Sequence, residues 1–270
     1  MSRGRLIVAL IIALFSIIGY FANREFNPVT GENQYVGITA EQEIALGLQA
    51  APQLVQQYGG EHPDLEAQAL VDKVGEHIVS STAADDTPYE FDFHLLDDDN
   101  TINAFALPGG QVFITSGLLR KLQTEGQLAG VLGHEIGHVV ARHGAEHIAK
   151  AQLTEGLTGA AVIATYDPNN PGSSQYKAAM AVLIGQLVNM RFSRQDELES
   201  DKLAVRFTGE SGYDPRSMIG VMEVLAAASR GGNQQPEFFS THPNPDRRIE
   251  RIQAAIEEVY PDGVPENLIP

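Results

Sequence analysis

Cysteine is absent from the 270-residue chain. That excludes a disulfide framework, a thiol nucleophile, a thiolate zinc site and a lipid-modified cysteine. A metal in this protein has to be held by His, Asp and Glu. Basic residues are scarce as well: 18 Lys+Arg stand against 35 Asp+Glu, a formal charge of −17. A chain this acidic repels phosphate backbones, so nucleic acid is excluded as its main partner. What remains is ordinary for a folded protein. Hydrophobic residues make up 43% and charged residues 20%, with ample length to bury a core.

Long apolar runs are also few. Behind the basic start Met1-Ser-Arg-Gly-Arg5, the stretch Leu6–Ala22 carries no charge. Basic residues before an apolar run form the pattern of a signal peptide or signal anchor. The run is at the short end of what spans a bilayer, roughly 17–25 residues. Tyr20 and Phe21 crowd the one plausible cleavage site, after Ala22, which favours an anchor over a cleaved signal. Arg3 and Arg5 would stay in the cytoplasm, leaving the chain after Asn23 on the exported side. The expectation is a single-pass protein of the cytoplasmic membrane with a periplasmic domain, or a secreted one if the signal is cut. Residues 1–23 then form the anchor, 24–38 a linker with the turn signal Asn-Pro-Val-Thr-Gly, 39–260 the domain and 261–270 a tail.

Within the domain, Thr39-Ala-Glu-Gln42 resembles a capping box, and Ile44, Leu46, Leu48 and Val55 predict a helix ending near Gly59-Gly60. Pro63 opens a second helix with Leu65, Leu70, Val71, Val74 and Ile78 on its apolar stripe. The period then changes. Tyr89, Phe91, Phe93 and Leu95 alternate with Glu90, Asp92 and His94, the pattern of a half-buried strand. Residues 103–107 and 111–115 read as two more strands around Pro108-Gly109-Gly110. From Ser116 onward helical patterns dominate, with breaks at Asp167–Ser174, Gly209–Asp214 and Arg230–Asn244. Ala178–Val188 is too short to span a membrane and reads as a buried helix. No internal repeat is present. The fold class is α+β, mainly helical, with a small antiparallel sheet.

Thr124-Glu-Gly-Gln127 makes another capping box, and the helix behind it carries His134-Glu135-Ile136-Gly137-His138. Positions i and i+4 lie one turn apart on one face, so both imidazoles can reach a single ion. Glu135 points past the metal toward a bound water, the place of a general base. Zinc lowers the pKa of such a water to about 7, so Glu135 takes a proton from an already acidic group. A third ligand is still needed. The extension H-x-x-G-x-x-H fails, because Ala141 occupies the glycine position and His147 falls one step late. Farther on, Ser193 is a credible N-cap, with Glu197 and Asp201 at i and i+4 behind it. Glu197 is placed to ligate, and Asp201 to accept the free N–H of a liganding histidine. The alternative is that Asp196, Glu197, Glu199 and Asp201 form a solvated acidic face.

Three stretches taken together resemble one family: residues 134–143, the run from Ser193 to Asp201, and Ser240-Thr-His-Pro-Asn-Pro-Asp-Arg-Arg-Ile249. It comprises the integral-membrane and envelope zinc metalloendopeptidases that include the CAAX prenyl protease and the mitochondrial stress protease. The stretch Asn103–Leu118 is similar to that family's upstream strand pair. The resemblance covers about residues 36–260. It implies a zincin-type catalytic domain holding one zinc ion, with Glu197 as third ligand beside His134 and His138. Ser200 stands where the family usually has alanine. A single candidate span makes the chain similar to the family's small exported branch.

The same resemblance implies that His242 reaches the zinc site. Chemically it suits two roles: hydrogen-bonding the oxyanion of a tetrahedral intermediate, worth roughly 3–4 kcal/mol at comparable sites, or ligating zinc and holding the resting site closed. Arg248 is placed to pair with an acidic group near the metal, or is simply solvated. His143 lies about half a turn around the helix from the metal face and, like His147, His62, His77 and His94, reads as structural. Gln111–Thr115 would offer a free strand edge to an extended peptide, or would be an ordinary sheet strand. The functional expectation is a zinc endopeptidase with catalytic Glu135 and His242, acting on polypeptides of the envelope in protein quality control. The rival is a zinc-binding envelope chaperone or assembly factor with a mostly closed site.

Overall fold

The computed structural model describes residues 3–165, 192–231, 236–242 and 247–270. The predicted buried helix at 178–188 and the break at 167–174 lie outside the described residues. Two compact units emerge, each built from two stretches of chain: 1–39 with 142–188, and 40–141 with 189–270.

The first unit pairs two helices with a hairpin. Helix α1 (Arg3–Ala22) packs against α6 (His143–Thr165), and strands β1 (Arg24–Phe26) and β2 (Asn33–Tyr35) run antiparallel. The expected turn signal closes the hairpin: Asn27 Oδ1 accepts from Val29 N at 2.9 Å, and Gly31 N donates to Asn27 O at 2.9 Å. Where α1 meets β2, Tyr20 stacks on Tyr35 and Phe21 meets both rings edge-on. Much of α1 keeps its apolar side chains exposed, Phe15 at 69% and Leu10 at 61%. Among the described residues, no helix is long and apolar enough to cross a membrane.

The second unit is mainly helical, with a three-stranded sheet. Its elements are α2 (Ala40–Gln57), α3 (Leu65–Ser80), β3 (Asp92–Leu96), β4 (Ala104–Ala106), β5 (Gln111–Thr115), α4 (Ser116–Leu119) and α5 (Glu125–Val140), followed by α7 (Arg194–Glu210), α8 (Ser217–Gly231), α9 (Phe238–Thr241) and α10 (Arg248–Val259). The sheet order is β3-β5-β4, and β3 runs parallel to β5. The sheet is therefore mixed and not antiparallel. β4 does fold back on β5 around the turn at 108–110, where Gly109 and Gly110 adopt φ of +90° and +108°. Before β4, Asp98 gathers the backbone N–H of Asn100 and Thr101, turning the chain away from β3. β4 thus takes the far side of β5 and leaves the near side to β3. β5 is the central strand, buried along its whole length, and offers no free edge; that property passes to β4.

Two helices show a different buried stripe from the expected one. In α2 the buried positions are Glu43, Gly47, Ala51 and Leu54, while Leu48 is exposed. Gly47 decides this orientation: a Cβ there would strike the carbonyl oxygen of Pro108, so the glycine lets the turn approach the helix. In α3, capped by Asp64, the residues Val71, Val74 and Ile78 are buried as expected, but Leu65 and Leu70 face outward.

Helix α5 is buried from Gly126 to Val140. Thr124 caps it by accepting from Gln127 N, but Gln127 Oε1 returns to the backbone of Gln123, one residue earlier than a capping box requires. Its closest neighbour is α7. There Gly133 and Gly137 face Ser200, Leu203 and Ala204, and a Cβ on Gly137 would lie 2.7 Å from Ser200 Oγ. Small residues on both helices bring the backbones together and set the residues flanking Gly133 and Gly137 beside those flanking Ser200. The chain's last residues also dock here, with Gly126 N donating to Pro270 O at 2.9 Å and Ile269 bridging Tyr213.

Candidate metal centre

His134 and His138 extend from one face of α5, and both are buried. Opposite them α7 begins with a full capping box: Ser193 Oγ accepts from Asp196 N, and Asp196 accepts from Ser193 N at 2.7 Å. That cap fixes the first turn of α7 and so the register of Glu197 and Asp201. Glu197, fully buried, sets its carboxylate 3.6 Å from His134 Nε2 and 3.5 Å from His138 Nε2. The two Nε2 atoms are 3.1 Å apart. His242, at the end of α9, brings Nδ1 to 3.0 Å from Glu197 and 3.4 Å from His134 Nε2. One ligand atom from each of these four residues lies within 4.8 Å of all the others.

Asp201 and Arg248 form a second layer. Asp201 Oδ1 is 3.0 Å from His134 Nδ1, and its carboxylate accepts from Arg248 Nε and Nη2 at 2.8 and 2.7 Å. Arg248 Nη1 also approaches Glu197 Oε2 at 3.1 Å. The guanidinium at the head of α10 is buried, so the expectation that it pairs with an acid holds over the solvated alternative. The acidic-face alternative fails for the same reason: Asp196, Glu197 and Asp201 are all buried.

Burial acts on every charge here. It raises the pKa of Glu135 above the usual carboxylate range, against the pull of His242 and His134. It also pushes Glu197 upward, but His242, His138 and His134 together bring that carboxyl well below its ordinary value. Asp201 follows the same logic, with burial overcome by Arg248 and His134. Arg248 is held above its ordinary value, because Asp201 and Glu197 outweigh its burial.

The donor set fits a divalent cation. Three imidazole nitrogens and a carboxylate converge on one buried point, and an imidazole nitrogen is a ligand through its lone pair. Beside them the carboxylates of Glu197 and Asp201 share one guanidinium among the described residues, Arg248, leaving a surplus of negative charge for a cation to neutralise. Among the described residues, both oxygens of Glu135 are buried without a hydrogen-bond partner, beside this cluster rather than in it.

Sequence reasoning missed three supporting residues. Phe192, next to the α7 cap, stacks on His138 with ring centroids 3.9 Å apart. Phe238, one turn before His242, stacks on it at 4.4 Å. Ser200 does more than fill space, because its hydroxyl donates to the carbonyl of His134. The Ser193–Asp201 run held the only local signal for any of them. His62, His77, His94, His143 and His147 stay out of the cluster.

Comparison with known proteins bears on the same residues. A model described as peptidase family M48 matches residues 65–256. The beta-barrel assembly-enhancing protease of Escherichia coli K12 is 33% identical over 229 residues, covering 79% of this chain and 45% of its own length. The corresponding protein of Yersinia pestis is 30% identical over 90% of this chain and 50% of its own. The mitochondrial metalloendopeptidase OMA1 of Schizosaccharomyces pombe is 29% identical over 88% of this chain and 68% of its own. The chain thus spans about half the length of the assembly-enhancing proteases it matches.

Proposed function

We propose that the chain, which belongs to peptidase family M48, is a zinc metalloprotease that cuts internal peptide bonds of envelope proteins in their quality control. The observation that carries this reading is the convergence of His134, His138 and Glu197 beside a buried Glu135 whose oxygens accept no hydrogen bond among the described residues. In it the first three residues hold the zinc, Asp201 orients His134, and Arg248 pairs with Asp201 and Glu197. Zinc held there supplies Lewis acidity toward a carbonyl and toward water. Glu135 takes the proton of the attacking water and delivers it to the leaving amine. An extended substrate pairs with the outer edge of β4, whose partner β5 is taken on both sides.

A second reading, a zinc-binding assembly factor with a closed site, is favoured by one observation. His242 Nδ1 stands among the ligand atoms while its Nε2 faces Glu135 at 3.6 Å. Both readings accommodate His242 as fourth donor of the resting site; they differ in whether it leaves. Purified protein separates them. The peptidase reading expects casein cleavage that a chelator stops and added zinc restores, whereas zinc-loaded protein without any cleavage supports the closed site.

The N-terminal helix α1 serves, in the same proposal, as a signal anchor in the cytoplasmic membrane, with the catalytic unit on the periplasmic side. Its exposed leucines, isoleucines and phenylalanines support this, as do the aromatic residues at its far end. Protease added to spheroplasts should then degrade the catalytic unit. Full protection would reverse the topology.

A further inference from the structure

The segment that carries His242 is tied down at three places. Phe192 N donates to Thr241 O at 3.1 Å, and Phe238 N donates to Ile102 O at 3.1 Å. Glu237, at the entrance to α9, accepts from Tyr58 Oη and from Asn103 Nδ2, the latter at 3.1 Å. Asn103 Nδ2 is also 3.4 Å from Tyr58 Oη, so the three side chains close on one another. They come from the end of α2, the residue before β4 and the turn into α9. Asn103 is fully buried and Tyr58 only 9% exposed, yet none of the three touches the metal cluster.

Strand register gives this placement its meaning. Thr115 N donates to Asn103 O at 3.0 Å and Leu107 N to Gln111 O at 2.8 Å, so residues 103 and 107 face β5. In an antiparallel ladder the alternate residues Ile102, Ala104 and Ala106 turn their backbone groups to the outer edge. The bond from Phe238 N to Ile102 O therefore occupies the first rung of the edge assigned above to substrate.

We infer that Tyr58, Asn103 and Glu237 form a clasp that holds His242 among the metal donors, and that a peptide strand laid along β4 opens it by displacing Phe238 from Ile102. This inference rests on the proposed roles of His242 and of the β4 edge. With the clasp shut the centre has four protein donors. Opened, it has three and leaves a position for water and substrate, the difference between a structural and a catalytic zinc site. Tyr58, Asn103 and Glu237 are positioning residues; they act through His242.

Cobalt-loaded full-length protein gives a readout independent of turnover, since its visible spectrum reports the donor set. Glu237→Ala is expected to show the spectrum of His242→Ala and to lose metal to a chelator about tenfold faster than wild type. Tyr58→Phe, which keeps the ring packed on Phe105, moves the same way by roughly threefold to tenfold. Glu237→Gln, which keeps an oxygen acceptor, stays near wild type. Unfolded casein added to cobalt Glu135→Gln protein shifts its spectrum toward that of Glu237→Ala. Wild-type spectrum and metal-loss rate in Glu237→Ala, with both altered in His242→Ala, would overturn the clasp and leave the donor role of His242 standing. An unchanged spectrum in His242→Ala would remove that donor role and the clasp with it, and no response to casein would overturn the opening by substrate.

Discussion

Glu135→Gln is expected to keep its zinc and to lose nearly all peptidase activity. Glu135 is fully buried, neither of its oxygens has a hydrogen-bond partner among the described residues, and it is not one of the four converging donors. An amide of the same shape fits the same space and is less costly to bury than a carboxylate, so the fold and the ligands stay in place. What disappears is the group able to take and return a proton. Loss of a general base alone typically costs about 10²–10⁴-fold, and in the proposed mechanism one residue serves both halves of the reaction. Zinc content and casein hydrolysis, measured on the same preparation, check this outcome. Undiminished cleavage by zinc-loaded Glu135→Gln would remove the general-base mechanism.

The parts of the fold that could be read from the sequence are those decided locally. Ser193 and Thr124 mark the starts of α7 and α5 because a side-chain oxygen there can satisfy a backbone N–H within its own turn. Val71, Val74 and Ile78 mark the buried face of α3 by their spacing. The outward Leu48 and Leu70 show where such reading stops. In α2 the decisive contact is Pro108 against Gly47, and a contact made through a missing side chain leaves no apolar signal. Sheet pairing was illegible for a related reason. Alternation at Phe93 and Leu95 tells which face is buried, but not that β3 lies parallel to β5. Val112-Phe113-Ile114 is an unbroken apolar run, the mark of a central strand buried on both faces.

The site divides in the same way. His134 and His138 are neighbours by helical period alone, and Glu197 and Asp201 are another such pair. That the two pairs meet depends on Gly133 and Gly137 against Ser200 and Ala204, which no single segment announces. Nothing local says that His242 and Arg248 fold back onto α7; for His242 the signal is the resemblance to a family. The contact of Tyr58, Asn103 and Glu237 joins three segments far apart in the chain and had no local signal at all.

Glu197, and not its neighbour Glu199, is expected to complete the metal site. The two side chains leave α7 about 200° apart, so only one can face the histidine pair. Glu197 is fully buried with its carboxylate 3.6 and 3.5 Å from the two Nε2 atoms, whereas Glu199 is half-buried and outside the cluster. Removing Glu197 deletes the charged donor that offsets the cation and takes away one of the two carboxylates paired with Arg248. Glu197→Ala should therefore purify with little zinc. Asp201→Ala, which frees His134 and Arg248 but spares the donors, should weaken zinc binding by about 10–100-fold. Glu199→Ala should match wild type. The most direct measurement is zinc per chain, by elemental analysis after dialysis, with wild type, Glu197→Ala and Glu199→Ala side by side. One zinc in wild type and Glu199→Ala, and almost none in Glu197→Ala, is the predicted result; zinc lost from Glu199→Ala and kept by Glu197→Ala would contradict the account.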